Sequence, residues 1–289
     1  MSCGKGKLSS ILSKDSEVEK VAGGFQFVEG PVWNSREGFL LFSDIPANRI
    51  YKWSPEKGVE VFREPSGNSN GLTYDKQGRL IICEHGNRRV SRIEKDGSLT
   101  VPADRFHGKR LNSPNDVVVK SDGAIYFTDP PYGIKPEQQE LPFQGVFRLD
   151  PESKKLTLLA DDFPRPNGIA FSPDEKVLYI ADSSERRHVR VFDVEADGTI
   201  SNSRVFAGEN PRLQGSPDGM KLDVEGRLYV SAGGGVWVYA SNGEYLGRID
   251  IPEKPANCAW GGEDWRTLYV TARTSLYCVK LNVQGVKVP

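Results

Sequence analysis

PNGIAFSPDEKVLYIAD, residues 166–182, decides the fold. Asn167 opens a short apolar run, a polar turn follows, and a second apolar run ends the segment. Val, Ile, Tyr and Phe in both runs, with Ser-Pro-Asp between them, read as strand, turn and strand. The pattern recurs in VEGPVWNSREGFLLFSD (28–44), SNGLTYDKQGRLIICE (69–84), PNDVVVKSDGAIYFTD (114–129), PDGMKLDVEGRLYVSA (217–232) and PANCAWGGEDWRTLYVTA (255–272). Each copy has a leading polar residue: Glu29, Asn70, Asn115, Asn167, Asp218 and Asn257.

Successive leaders lie 41, 45, 52, 51 and 39 residues apart. A four-stranded propeller blade repeats every ~40–50 residues. Gly78, Gly123, Glu175 and Gly226 follow their leaders by eight positions, which keeps the repeats in phase. After each strand pair come two further runs, such as RRVSRIEK (88–95) and LTVPAD (99–104) around a DGS turn. The chain therefore reads as all-β: a six-bladed β-propeller with four-stranded blades. The last blade has only SLYCVKLNV (275–283) after its inner pair, and VEKVAGGF (18–25) is free to supply its outer strand. That N-terminal strand would close the ring and remove an exposed edge. A two-sheet sandwich gives no reason for six-fold periodicity.

The 289 residues divide into a tail, 1–17, and a single propeller domain, 18–289. With 38 basic and 39 acidic residues the net charge is −1, and no basic block stands out, which argues against nucleic-acid binding. No apolar run is long enough to span a bilayer. Cys3, Cys83, Cys258 and Cys278 form no CxxC pair. They read as free thiols of a reducing compartment, so a cytoplasmic location is expected.

In a propeller the first strand of each blade lines the channel, so the six leaders should ring one mouth. One Glu, one Asp and four amides offer only oxygen, the donor set of a hard cation. One divalent ion is expected. Ca²⁺ is the first choice because it takes irregular oxygen coordination, with Mg²⁺, Mn²⁺ or Zn²⁺ as substitutes. Turn preferences account for the Pro and Gly beside the leaders. They do not account for two acids facing each other, which repel unless a cation or a proton intervenes.

Other motifs carry less. GNSNG (67–71) has the G-x-S-x-G form of a nucleophile elbow, but strand, turn and strand follow it rather than a helix. His85, His107 and His188 form no HExxH. His85, just after an inner strand pair, is within reach of the mouth. Asp129 in FTDPPYG ends a strand and either lines the mouth or caps the turn.

VEGPVW, NGLTYD, SPNDVVVKSDGAIYFTDPPYG, RPNGIAFSPD, GSPDGMKLD and NCAWGGED together resemble the gluconolactonase–regucalcin (SMP-30-like) family over about residues 25–283. FTDPPYG is similar to its microbial sugar-lactonase branch. The resemblance implies metal ligation by Glu29, Asn167 and Asp218, with Asn115 binding metal or substrate. It also implies metal-dependent hydrolysis of a small-molecule sugar lactone. The metal would polarise the carbonyl, and Asp218 would act as general base, unless a metal-bound hydroxide attacks instead. Asn115, Asp129 and His85 are the candidate substrate contacts. A phosphotriesterase and a non-catalytic calcium-binding propeller are the alternatives. A monomer is expected, because a closed propeller leaves few edges.

Overall fold

The computed structural model describes residues 7–12, 16–207 and 215–288; Cys3 lies outside them. Six four-stranded antiparallel sheets form the six blades of a propeller, as the repeats require. The blade that carries Asn167 runs Pro166–Phe171, Val177–Asp182, His188–Val194 and Ile200–Ala207. The last blade is Pro255–Gly261, Thr267–Ala272 and Ser275–Lys280, completed by Val18–Gly23 from the other end of the chain. Val18 pairs with Val279 and Gly23 with Ser275, so the N-terminal strand closes the ring.

Burial grades outward along each blade. Leu80–Glu84 and Ile125–Asp129 are buried at every position, because both faces meet neighbouring blades. Gly58–Arg63, an outermost strand, has no buried position. The core is accordingly split into clusters between blades. One sets Tyr126 and Val146 against Ile169, Leu178 and Ile180. Residues 7–12, read as part of a tail, form a turn whose Leu8 and Ile11 are buried in another cluster, and Ile11 accepts a bond from the Asn282 N–H at 2.8 Å. A short hairpin, Arg105–Phe106 with Lys109–Arg110, lies between the second and third blades.

The inner strand pairs turn at the end away from the leaders. Asp75 Oδ1 accepts from the Gln77 and Arg79 N–H groups, both at 3.0 Å, and its Oδ2 from Arg79 Nε at 2.7 Å. Asp223 repeats this with Glu225, Arg227 and the Arg227 guanidinium. Such Asx turns explain why DKQG and DVEG fill these positions. The C-terminal segment crosses the same end, where Val286 N donates to Leu222 O at 3.0 Å.

At the leader end one expectation changes. The glycine after Asn167 is not there for a turn. A Cβ on Gly168 would lie 2.3 Å from Asp218 O, and one on Gly219 would lie 1.9 Å from the Asn257 side chain. Gly30 and Gly71 hold the same place after their leaders and meet the next inner strand equally closely. These glycines let adjacent inner strands converge on the axis, which draws the leaders together.

Candidate functional site

The inner strands are tied to one another where the leaders sit. Gly71 N donates to Asn115 O and Gly219 N to Ala256 O, both at 2.8 Å. Hydroxyls on second strands hold the next blade's leader: Ser43 Oγ donates to Asn70 O at 2.8 Å, and Thr128 Oγ1 to Asn167 O at 2.7 Å. Five leaders are buried, and Asp218 is half-buried.

The amides form a directed ladder. Asn70 Nδ2 donates to Asn115 Oδ1 at 2.7 Å, Asn115 Nδ2 to Asn167 Oδ1 at 2.7 Å, and Asn167 Nδ2 to Ser183 Oγ at 2.8 Å. Ser183 Oγ donates on to Pro217 O at 2.5 Å, the residue before Asp218. His85 is buried beside this ladder, with Nε2 at 3.2 Å from both Asn70 Nδ2 and Asn115 Oδ1. Burial pushes its imidazole down to about 4, so it is neutral at pH 7.

The carboxylates occupy the other side. Glu29 Oε2 accepts from Gly30 N at 2.8 Å. Burial, then the charges of Asp218 and Asp116, hold the Glu29 carboxyl well above the ordinary range. Burial pushes Asp218 up to about 7; Asp116 adds to the rise, and the Lys254 ammonium opposes it. Asp116 was not singled out from the sequence. Its signal was available: it stands directly after a leader, where four of the other five repeats have glycine. Its side chain is buried and accepts from Val117 N at 2.9 Å.

Among the described residues no three His, Cys, Asp or Glu side chains cluster as a metal site. The grouping present is two carboxylates, Glu29 and Asp218, with the amides of Asn167, Asn115 and Asn257 nearby. That donor chemistry fits a hard cation, since two close acids leave negative charge to be compensated and Asn167 Oδ1, which accepts one bond, keeps a second lone pair.

Asp129 is placed differently. Its two oxygens accept from Asn112 N and Ser113 N at 2.7 Å each, and it is fully buried. Burial pushes its carboxyl up to about 7 against those two donors. From the same FTDPPYG segment, Tyr132 reaches the ladder, where its phenol interacts with Ser183 and Asn167 and feels the Asp218 charge. Gly133, beside it, packs on His85 and Ser113. Tyr132 also went unread, being out of phase with the repeats.

A cleft of about 350 Å³ adjoins Asp218, lined also by Phe27, Lys254, Arg273 and Thr274. A six-bladed propeller whose channel opens on a ring of amides and carboxylates is the class of protein thus defined. Within it, the chain belongs to the family described as SMP-30/Gluconolactonase/LRE-like region, whose profile matches residues 27–274. A gluconolactonase of Zymomonas mobilis is 36% identical, over 96% of this chain and 85% of that protein. A pentonolactonase of Haloferax volcanii is 32% identical, over 84% of this chain and 80% of the relative. The solved structure of a gluconolactonase from Xanthomonas campestris superposes with a TM-score of 0.88 at 36% identity, covering 96% of this chain and 93% of that one.

Proposed function

We propose that the chain hydrolyses sugar lactones at the leader end of its channel. The observation that carries this is the pairing of buried Glu29 with half-buried Asp218 beside an amide ladder, in a chain related over most of its length to gluconolactonases and a pentonolactonase. Glu29, Asn167 and Asp218, with Asn115, would hold one divalent cation, Ca²⁺ by its tolerance of mixed oxygen donors. When bound, the ion supplies Lewis-acid polarisation of the lactone carbonyl.

The chain's own residues do the rest. Asp218 takes a proton from the attacking water as its oxygen bonds to the carbonyl carbon. The ring C–O bond then breaks, and the ring oxygen takes that proton from Asp218, leaving the open hydroxy acid. Asn115 and the Tyr132 phenol orient the sugar, and neutral His85 holds Asn115 in place. Asp129 acts through the loop: by fixing Asn112 and Ser113 it positions the segment before Asn115. Cys83 and Cys258, buried free thiols, fit a reducing cytoplasm. No helix among the described residues is long and apolar enough to cross a membrane. A monomer completes the proposal.

The test is acid release from glucono-1,5-lactone and other aldonolactones, followed with a pH indicator, with and without EDTA. Turnover lost in EDTA and restored by Ca²⁺ is expected. Unchanged turnover in EDTA would remove the metal. No turnover of any lactone, with a paraoxon-type ester cleaved or only calcium bound, would replace the activity itself.

A further inference from the structure

The cleft beside Asp218 has a charge pattern that a neutral sugar does not require. Its volume, about 350 Å³, is that of a small-molecule subsite. Two cations line it, Lys254 and Arg273, and both are exposed. Two carboxylates on the surrounding segments are committed elsewhere. Asp44 accepts from the Gln26 and Phe27 N–H groups at 3.0 and 3.1 Å. Glu253 accepts from Thr274 N at 2.9 Å, Thr274 Oγ1 at 2.8 Å and Tyr277 Oη at 3.0 Å, and also from the Ser275 hydroxyl. Each therefore fixes a wall of the cleft and forms no ion pair with either cation. Among the described residues neither Arg273 nor Lys254 forms an ion pair, and the Lys254 ammonium acts on the Asp218 carboxyl. Phe27, 38% exposed, offers an apolar face between the walls.

We infer that this cleft receives an anionic substituent of the substrate, so that the preferred lactones carry a carboxylate or phosphate away from the ring carbonyl. An anion entering a mouth that holds Glu29, Asp116 and Asp218 is repelled unless fixed cations offset them. Lys254 and Arg273 stand where they can do so, while Phe27 covers the ring. This rests on the lactonase reading and narrows its substrate class.

The experiment compares kcat/KM for glucono-1,5-lactone with that for a glucarolactone and for 6-phosphoglucono-1,5-lactone, in wild type, Arg273→Gln and Lys254→Gln. The ratio of anionic to neutral lactone should fall about fivefold in each variant, the scale of one solvent-exposed ion pair. It should also fall in wild type as NaCl is raised from 20 to 500 mM. The carboxylate and phosphate arms tell which anion is taken. A ratio that moves in neither variant overturns the inference, while turnover of the neutral lactone keeps the lactonase reading standing. If no lactone is turned over, that reading fails separately. Calorimetry with glucarate and 6-phosphogluconate then decides: binding weakened by Arg273→Gln sustains the anion subsite, and unaltered or absent binding overturns it.

Discussion

Gly168→Ala separates two explanations of one residue by the sign of its effect. Gly168 is not among the residues with positive φ, so alanine suits its backbone. Were nothing else involved, the substitution would stabilise by roughly 0.4–1 kcal/mol, because alanine restricts the unfolded chain. The structure predicts the reverse. The new Cβ would meet Asp218 O at 2.3 Å and Gly219 Cα at 3.0 Å, where ordinary contact begins at 3.4 Å. Those atoms are backbone and cannot swing aside, so two inner strands must part. Overpacking of this kind costs about 1–3 kcal/mol, and an unyielding neighbour puts the cost at the upper end. The net loss is about 2 kcal/mol after the unfolded-state gain.

At roughly 2–4 °C per kcal/mol for a chain near this size, Tm falls by about 4–8 °C. Parting the strands also moves Asn167 relative to Asp218, and a misplacement of about 1 Å costs on the order of 10²-fold in kcat/KM. Scanning fluorimetry and the lactone assay read the two effects. Gly97→Ala is the comparison. Gly97 has φ +82° with nothing within 4 Å, so alanine there introduces only left-handed strain of about 1–2 kcal/mol and activity is kept. A Gly168→Ala protein as stable as wild type, or more so, would refute the claim that this glycine sets the approach of the blades.

Three further substitutions address the site. Asp218→Asn should lower turnover by about 10²–10⁴-fold, the range for a lost general base, without lowering the urea midpoint, since it removes one of several mutually repelling carboxylates; full activity would exclude Asp218 as the base. Asp129→Asn should cost about 1–3 kcal/mol, because an amide cannot accept from both Asn112 N and Ser113 N. Burial raises the folded carboxyl of Asp129 to about 7, so between about pH 4 and 7 the folded chain holds the extra proton. Its contribution to stability is thus present at low pH and lost as pH rises through 7. Urea midpoints at pH 5 and 8 should differ less in the variant, and an equal difference would counter this. Tyr132→Phe should raise KM for the lactone about fivefold, the worth of one neutral hydrogen bond; an unchanged KM would place the phenol outside the site.

The fold was legible because a propeller writes its geometry into the spacing of the chain. Each blade needs an inner strand, a polar turn and a buried second strand, so the six copies fall into phase and even the missing outer strand of the last blade could be located. What stayed hidden was aperiodic. The Arg105–Arg110 hairpin and the packing of Leu8 and Ile11 occur once each, and a single turn carries too few residues for a pattern to emerge. Tyr132, Lys254 and Arg273 reach the site from loops of unequal length. A comparison of equivalent positions passes over them.

The six leaders read from the sequence as interchangeable oxygen donors, but the hydrogen bonds divide them. An amide both donates and accepts, so Asn70, Asn115 and Asn167 satisfy one another in a single direction. The chain of donors leaves Asn167 for Ser183 and ends on Pro217 O. Asp218 follows Pro217, so the ladder delivers its last proton donor to the backbone one residue short of the carboxylate. Glu29 takes the N–H of Gly30 and a bond from the Asn257 side chain. One side of the ring is thus neutral and internally satisfied, and the other crowds acidic groups whose donors do not offset burial and mutual repulsion. Six amides would have made a closed, inert ring. Replacing two of them by Glu29 and Asp218 leaves a need for a proton or a cation, and it places that need beside the open cleft rather than within the ladder.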